Sequence, residues 1–208
     1  MARVVAVVNQ KGGAGKTTLA MQLAGALARR APTVVVDLDP QASAVQWASA
    51  GGLPFPATVK ALPVESDRAG LLARFRGHHY LVLDCPPALG PPARAALRAA
   101  DLALVPVLPS PVDLWSSLTL PQEIAAARRD NPRLRAHLVV NQLEPGSALS
   151  AAMHGALAEF GLPVLAAGLR RRAVYRTAAL EGVAVHQLGA RGRAAAAEID
   201  AILEELRL

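Results

Sequence analysis

Five short apolar runs recur along the chain, and stretches with helical spacing or turn residues separate them. The runs cover residues 4–8, 33–37, 80–84, 102–107 and 137–140. Apolar strands that alternate with helices are typical of a sheet whose strands run parallel and are joined by crossover helices. The pattern predicts an α/β fold with a mostly parallel, twisted sheet and helices on both faces.

Two of the stretches outside these runs have clear helical periodicity. Leu19, Leu23 and Leu27 recur at every fourth position, which predicts a helix that packs on the sheet and ends before Pro32. In residues 194–208, apolar and acidic residues fall on opposite helical faces, which predicts a packing helix. Its apolar residues are Ile199, Ile202, Leu203 and Leu206. Residues 51–64 are rich in Gly and Pro and predict a loop with a weak edge strand.

Composition limits the class of protein. The chain has 208 residues, of which 52% are hydrophobic, enough for one substantial core, so we expect residues 1–208 to form a single domain. Cys85 is the single cysteine, which excludes an internal disulfide framework and favours a reducing compartment. The longest uncharged stretch, residues 40–59, is interrupted by Gly, Pro and polar residues, and no export signal is recognisable. We therefore expect a cytoplasmic protein.

Residues 10–18 read Gln-Lys-Gly-Gly-Ala-Gly-Lys-Thr-Thr and lie between the first apolar run and the first predicted helix. Glycines in such a loop let main-chain N–H groups surround a polyphosphate, and the positive end of the next helix adds to the attraction. Lys16 would reach the terminal phosphates, and Thr17 would supply a hydroxyl ligand for Mg²⁺. The order of strand, loop and helix predicts a P-loop for a nucleoside triphosphate. Its candidate binding residues are Lys11, Gly12, Gly13, Ala14, Gly15, Lys16, Thr17 and Thr18.

The loop departs from the general P-loop pattern, because Gln10 stands where the first glycine belongs and Lys11 follows it. Lys-Gly-Gly-x-Gly-Lys-Thr-Thr resembles the deviant Walker A loop of the ParA/MinD family. The resemblance implies hydrolysis of ATP to ADP and phosphate in a sandwich homodimer, in which Lys11 reaches the partner's phosphates. A second cation at the γ-phosphate would stabilise the dimer and the transition state, so Lys11 and Lys16 are both candidate catalytic residues.

Two aspartates follow other apolar runs, and ligand sites of open α/β sheets lie at such strand ends. Asp39, in Asp-Leu-Asp-Pro-Gln, resembles the family's DxDPQ signature, which implies that it orients the attacking water. Asp84, before Cys-Pro-Pro, resembles a Walker B aspartate, which implies that it holds the Mg²⁺ shell through water. We also expect Asp37 and Asp39 to share one face of the second strand. A plain turn-forming role remains the alternative for Asp84.

Two later segments also bear on the predicted site. Asn141 ends the fifth run, and the resemblance implies that its amide recognises adenine, whereas a turn-forming role remains open. Residues 107–114 resemble the proline-rich loop of the compact ParF-like branch of the family, where it borders the nucleotide and the dimer interface. A simple strand-to-helix connection would account for these prolines equally well.

Positive charge is concentrated in one late segment. The formal net charge is +6, and the calculated pI is 10.4. Residues 170–193 hold six arginines against the single acid Glu181, a balance of +5. The arginines are Arg170, Arg171, Arg172, Arg176, Arg191 and Arg193. Such a cluster predicts salt-sensitive, sequence-independent binding to duplex DNA. Two alternatives stay open: the arginines are scattered over the surface, or those in residues 170–176, which resemble the family segment over the adenine, contact the nucleotide.

These features predict an ATP-dependent partition or positioning ATPase. Its ATP-bound dimer would bind nucleoid DNA, and slow hydrolysis, stimulated by a ParB-like or cargo-adaptor protein, would release it. The chain begins directly at its first strand, so we expect no N-terminal helix-turn-helix extension. The cargo would be a plasmid, a chromosome or a protein assembly.

Two other functions remain as alternatives. A MinD-like membrane-associated ATPase needs a basic amphipathic tail, whereas the acidic face of residues 194–208 would be repelled by anionic lipid, so we expect no membrane partner. A metabolic P-loop enzyme, such as a dethiobiotin-synthetase-like ligase, would use the same fold for different chemistry.

Overall fold

Six strands form one sheet in the order β3-β2-β4-β1-β5-β6. The computed structural model describes residues 2–62, 67–110, 119–144, 157 and 160–208. The strands are β1 (Arg3–Val7), β2 (Thr33–Asp37), β3 (Thr58–Ala61), β4 (Tyr80–Asp84), β5 (Leu102–Val107) and β6 (Arg135–Val140). All pairings between these strands are parallel, which confirms the predicted sheet.

The strand bounds differ slightly from those predicted. β1 begins at Arg3 because its main chain pairs with that of Tyr80, and a ladder of main-chain hydrogen bonds does not require an apolar side chain. β6 begins at Arg135 for the same reason, since Arg135 pairs with Leu102. The weak strand expected within residues 51–64 is the edge strand β3, and residues 63 and 64 lie outside the described part of the chain.

Helices connect the strands. They are α1 (Lys16–Leu27), α2 (Ser43–Ser49), α3 (Arg68–Arg74), α4 (Pro91–Ala99), α5 (Leu120–Asp130), α6 (Ala173–Leu180) and α7 (Arg193–Leu206), with a 3-10 segment at Val185–Arg191. The predicted helices after the first run and at residues 194–208 are confirmed as α1 and α7. Among the described helices, none has the length and apolarity needed to cross a membrane.

Alternate strand residues face two apolar layers, as the two-residue period of a strand requires. Val4 and Ala6 of β1 pack in a layer with residues of α3, α4 and α5. Val5 and Val7 pack in the opposite layer with residues of α1, α2, α6 and α7. The prediction of helices on both faces is therefore confirmed.

The two edges of the sheet are built differently. β3 is four residues long, and three of its residues, including Lys60, are exposed. β6 is bordered by residues 163–171: the N–H of Leu138 donates to the carbonyl of Pro163 at 2.8 Å, and Leu143 forms a parallel bridge with Arg170. This border carries Arg170 and the residues after it to the carboxyl end of β6.

Candidate functional site

A glycine loop joins β1 to α1 at the carboxyl edge of the sheet. Gly13 and Gly15 have φ of +77° and +91°, a left-handed conformation that favours glycine. Apart from their chain neighbours, no atom of the described residues lies within 4 Å of the position that a Cβ would take on Gly12 or Gly13, so this part of the chain leaves the space beside the loop open. Gly15 is the N-cap of α1 and supplies no side-chain cap. The first N–H groups of α1 therefore remain suited to an anionic ligand.

A buried asparagine fastens the start of this loop. The Asn9 side chain is 2% exposed, and its Nδ2 donates to the carbonyl of Pro106 on β5 at 2.7 Å. Its Oδ1 accepts from the main-chain N–H of Lys11 at 3.0 Å. Asn9 cannot be recognised from sequence alone, because an asparagine after a strand is also a common turn residue.

Lys16 is buried at the mouth of the loop. Lys16 is 7% exposed, and its Nζ donates to the carbonyl of Lys11 at 3.1 Å. Burial lowers the pKa of this ammonium, while neighbouring acidic groups, Asp84 first among them, oppose the shift. A negatively charged phosphate beside Nζ would stabilise the protonated ammonium and so oppose the effect of burial.

Asp84 is fully buried at the end of β4, opposite Val7 of β1. In the described part of the chain, neither of its carboxylate oxygens has a hydrogen-bond partner. Burial raises its pKa to about 7, although the nearby Thr17 hydroxyl and Lys16 ammonium act in the opposite direction. A buried carboxylate without partners is costly unless a cation compensates it. Asp84 and Thr17 therefore fit a Mg²⁺ ion held next to a triphosphate.

Asp37 and Asp39 have different surroundings. Asp37 is 1% exposed, and its Oδ2 accepts from the N–H groups of Ala44 and Val45 at 2.9 and 3.2 Å, so it caps α2. Burial raises its pKa, and these hydrogen bonds oppose the shift. Asp39 is half-buried, lines the cleft described next, and accepts from the N–H of Gln41 at 2.9 Å.

The expectation that both carboxylates share one strand face requires correction. β2 ends at Asp37, so the two-residue alternation of a strand no longer holds at Asp39. Only Asp39 of the two lines the cleft. Asp37 is the structural residue of the pair.

The loop forms one end of a cleft of about 550 Å³, a size typical of small-molecule sites. The cleft collects most of the site residues predicted from sequence, namely Gly12, Gly13, Gly15, Lys16, Thr17, Thr18, Asp39, Asn141, Arg170, Arg171, Arg172 and Arg176. Its lining also contains Trp47 and Tyr175, which sequence reasoning did not assign to the site. Lys11, Ala14, Asp84, Arg191 and Arg193 do not belong to the lining.

Asn141 connects the glycine loop to the end of β6. Its Nδ2 donates to the carbonyl of Ala14 at 2.8 Å, and its Oδ1 accepts from the N–H of Gln142 at 2.8 Å. A Cβ on Gly15 would lie 2.1 Å from Asn141 Nδ2, so the two residues are in close contact. Asn141 thus supports the loop, and its contact with adenine stays a prediction.

The arginines of the late segment do not all line the cleft. Arg170, Arg171, Arg172 and Arg176 line the cleft, whereas Arg191 pairs with Glu181 at 3.1 Å outside it. Arg193 is exposed at the start of α7. The alternative that residues 170–176 border the cleft is the one the geometry favours.

Acids from distant positions neutralise part of the charge counted along the sequence. Arg172 pairs with Glu198 at 2.8 Å, and Arg171 pairs with Glu144 at 2.7 Å. Both acids lie outside residues 170–193, so the balance of +5 overstates the local positive charge. Sequence reasoning placed Glu198 on the acidic face of the last helix but gave no partner for it.

The proline-rich stretch at residues 107–114 lies only in part within the described chain. Val107 ends β5, residues 108–110 follow it, and residues 111–114 lie outside the described residues. Its predicted place at the nucleotide and the dimer interface remains a prediction.

Comparison with known proteins identifies the family of this chain. A family model described as the CobQ/CobB/MinD/ParA nucleotide binding domain matches residues 5–185. The chain is 44% identical over 207 residues to the maintenance of carboxysome distribution protein A of Halothiobacillus neapolitanus, covering 97% of this chain and 95% of that protein. It is 36% identical to the protein of the same name from Gloeobacter kilaueensis, covering 98% and 94%.

Solved structures share the fold. Apo McdA of Cyanothece matches with a TM-score of 0.78 at 18% identity, covering 99% of this chain and 100% of that one. The septum site-determining protein MinD of Pyrococcus horikoshii, solved with Mg-ADP, matches with a TM-score of 0.77 at 18% identity, covering 100% and 98%. A glycine loop, a buried lysine and a buried aspartate at adjacent strand ends, together with a family model over most of the chain, lead to one conclusion. The chain belongs to the CobQ/CobB/MinD/ParA nucleotide-binding family and is a ParA/MinD-type ATPase.

Proposed function

We propose that this protein pairs around ATP and Mg²⁺, binds DNA without sequence preference in that state, and distributes a protein assembly of the carboxysome kind. Its general class, a ParA/MinD-type positioning ATPase, follows from its family. The dimer, the DNA contact and the cargo are the proposed part. The observation that carries the proposal is the buried Asp84 carboxylate, which accepts no hydrogen bond within 3.5 Å from the described residues and lies near Thr17 and Lys16 of the glycine loop.

The residues of the loop have separate tasks in this proposal. Main-chain N–H groups of residues 12–17 bind the phosphates, and Lys16 Nζ exchanges its carbonyl partner for a phosphate oxygen. Thr17 and Asp84 hold the metal, which when bound neutralises phosphate charge. Asp39, at the side of the same cleft, orients the attacking water.

Lys11 acts on a second protomer. It is half-buried at the rim of the loop and does not line the cleft of its own chain. Its main-chain N–H donates to Asn9, so the start of its side chain keeps a defined position when Lys16 Nζ turns from the Lys11 carbonyl to a phosphate. A cation that adds to a neighbour's phosphates would couple ATP binding to pairing.

The proposed cargo derives from the relatives. Two relatives covered over more than nine tenths of their length are named for the distribution of carboxysomes. Partition proteins match less of this chain: the chromosome-partitioning ATPase Soj of Thermus thermophilus is 34% identical over 64% of it. These coverages favour a protein assembly over a plasmid or a chromosome as cargo.

The burial of α7 does not favour the membrane alternative. Its large apolar side chains are buried in the layer that also contains α1, so they are not available to a lipid surface. They are Ile199, Ile202, Leu203 and Leu206. The metabolic alternative differs in its response to DNA, which a single experiment can measure.

The decisive experiment compares DNA retention and oligomeric state in the presence of a non-hydrolysable ATP analogue with Mg²⁺, of ADP, and without nucleotide. We expect dimers and DNA retention with the analogue alone. Lys11→Ala should lose both together, whereas Lys60→Ala, which removes an exposed lysine of β3, should keep both.

Other outcomes identify which part of the proposal is wrong. A protein that stays monomeric with the analogue refutes the sandwich dimer. Equal DNA retention under all three conditions refutes the nucleotide switch. ATP turnover that responds to a small substrate and ignores DNA supports the metabolic enzyme instead.

A further inference from the structure

We propose that Glu198 is a positioning residue, which holds the arginine wall of the nucleotide cleft in place from helix α7. The arginine wall is the segment Arg170, Arg171, Arg172, Tyr175 and Arg176, all of which line the cleft. This inference rests on the proposed function only in that it takes the cleft as the ATP site.

Glu198 receives hydrogen bonds from three residues of the wall. Its Oε1 accepts from Nε of Arg172 at 2.8 Å, and Nη2 of the same guanidinium is also 2.8 Å away. Its Oε2 accepts from the main-chain N–H of Arg170 at 3.1 Å and from the hydroxyl of Tyr175 at 2.9 Å. Both carboxylate oxygens of Glu198 therefore accept hydrogen bonds.

The surroundings make these contacts strong. The Glu198 side chain is 12% exposed and that of Arg172 is 29% exposed, so water screens the pair only partly. Tyr175 is 8% exposed, and its hydroxyl also lies 3.4 Å from the carbonyl of Ala195 on α7. By contrast, the ion pair of Arg171 with Glu144 joins two well-exposed side chains, which contributes less.

The wall needs such an anchor because its charges are alike. Arg170, Arg171 and Arg172 are consecutive, and their mutual repulsion favours an open arrangement of the segment. Main-chain contacts hold the first part of the wall, where the N–H of Arg171 donates to the carbonyl of Leu143, and helix α6 holds the main chain of Tyr175 and Arg176. Glu198 adds side-chain contacts to Arg172 and Tyr175, on either side of the start of that helix.

Glu198 lies on α7, which packs in the same apolar layer as α1, the helix that follows the glycine loop. Ile199, next to Glu198, is fully buried in the layer that contains Leu19 and Leu23 of α1. The wall and the glycine loop thus rest on one packed layer, and Glu198 sets the position of the wall relative to the loop.

The arginine wall would contact the base and the ribose of the nucleotide. The phosphates fill the glycine loop, so the remaining lining must face the rest of the nucleotide. A displaced wall should weaken binding of ATP and leave binding of a bare polyphosphate almost unchanged. This selectivity separates a positioning role from a general loss of folding.

The test measures the dissociation constants of ATP and of inorganic tripolyphosphate, both with Mg²⁺, for the wild type, Glu198→Gln and Glu204→Gln. An amide cannot accept at both ends, so Glu198→Gln loses the contacts of one oxygen. We expect about tenfold weaker ATP binding, the effect of one lost charge-assisted hydrogen bond, and a change below about twofold for tripolyphosphate. Glu204→Gln changes an exposed acid of the same helix by the same charge and should match the wild type for both ligands.

A second measurement tests whether Glu198 acts through Arg172. In an Arg172→Gln background, Glu198→Gln should reduce ATP affinity by less than it does in the wild type, because the contact with Arg172 is already lost while those with the Arg170 N–H and Tyr175 remain. Fully additive losses, equal losses for ATP and tripolyphosphate, or ATP binding by Glu198→Gln that equals that of Glu204→Gln would each overturn the inference while leaving the proposed function intact. A wild type that binds neither ligand would overturn both.

Discussion

The two walls of the cleft, the glycine loop and the arginine wall, hold their functional groups in different ways. The phosphate wall is residues 10–18, the glycine loop and the start of α1. Its main-chain N–H groups and one buried lysine are suited to bind an anion. The arginine wall consists of side chains, among them the exposed Arg170, Arg171 and Arg176, and part of its charge is neutralised by Glu144 and Glu198. A functional group placed by its own loop depends little on the rest of the chain, whereas one placed by ion pairs depends on residues far away in sequence.

The difference predicts how each wall fails. Removal of one group from the phosphate wall should abolish binding, because no neighbour can substitute for it. Removal of one arginine should have a graded effect, because several share the task. Five substitutions, in the phosphate wall, beside it and outside the cleft, should have successively smaller effects on the nucleotide site.

Lys16→Ala should have the largest effect. The loss of a buried ammonium that faces the phosphates should lower ATP hydrolysis by about 100-fold or more. Lys60→Ala, at the exposed edge strand, is the matched control and should leave hydrolysis unchanged. The measurement is steady-state phosphate release with saturating ATP and Mg²⁺, and a Lys16→Ala variant that retains most activity would contradict the assignment.

Asp84→Asn should lose the response to Mg²⁺ and stabilise the ligand-free protein at neutral pH. Because burial raises the folded-state pKa of Asp84 to about 7 from 3.8, the folded protein binds this proton more tightly than the unfolded chain does. The stability of the wild type should therefore fall as pH rises from about 4 to about 7, by an amount on the order of a few kcal/mol. Below about pH 7 the protonated carboxyl should also weaken Mg²⁺ binding.

Denaturant unfolding from pH 4 to 8 measures this effect. The difference in unfolding free energy between Asp84→Asn and the wild type should grow with pH. Asp37→Asn is the informative control, since Asp37 is buried but accepts hydrogen bonds from the N-terminus of α2. Burial also raises the pKa of Asp37, but its hydrogen bonds oppose the shift, so Asp37→Asn should destabilise the protein and show a weaker pH dependence of the same sign. An equal response of the two variants would refute the distinct role of Asp84.

Asn141→Ala should weaken ATP binding by about tenfold, because the loop carbonyl of Ala14 loses its buried partner. Asn131 provides a control of the same type: it is buried, and its Nδ2 donates to the carbonyls of Leu97 and Ala100, away from the cleft. Asn131→Ala should lower the melting temperature and leave the dissociation constant of ATP unchanged. Calorimetric titration with ATP distinguishes the two.

Arg193→Gln and Arg191→Gln should have the smallest effects and should leave ATP affinity within about twofold of the wild type, since neither lines the cleft. If this face contacts DNA, Arg193→Gln should reduce the slope of log affinity against log salt by about one. Arg191 already pairs with Glu181, so Arg191→Gln should reduce the slope less. Equal slopes for all three proteins would remove both arginines from the DNA contact.

The phosphate wall was predictable because everything that defines it lies within nine consecutive residues. The strand ends were predictable for a similar reason: apolar runs mark where β2 and β4 end, and Asp39 and Asp84 follow or close them. The roles of Asp37 and Asp39 could not be separated in this way. Which carboxylate caps α2 depends on where β2 ends and where the next helix begins.

The arginine wall was only partly predictable. The sequence places several arginines together, but their neutralisation by Glu198 depends on α7 packing beside a segment more than twenty residues earlier. The close contact of Asn141 with Gly15 likewise joins two regions that are distant along the chain. Spacing within a segment carries no information about such pairs.

The unequal edges of the sheet limit how copies of this protein can associate. Main-chain groups along an uncovered strand invite another strand to continue the ladder. Residues 163–171 cover the outer edge of β6, and β3 offers only four residues and a charged side chain that would need to be desolvated. Filaments that grow by continuing the ladder from molecule to molecule are therefore disfavoured at both borders, and higher assemblies must use helical or loop surfaces.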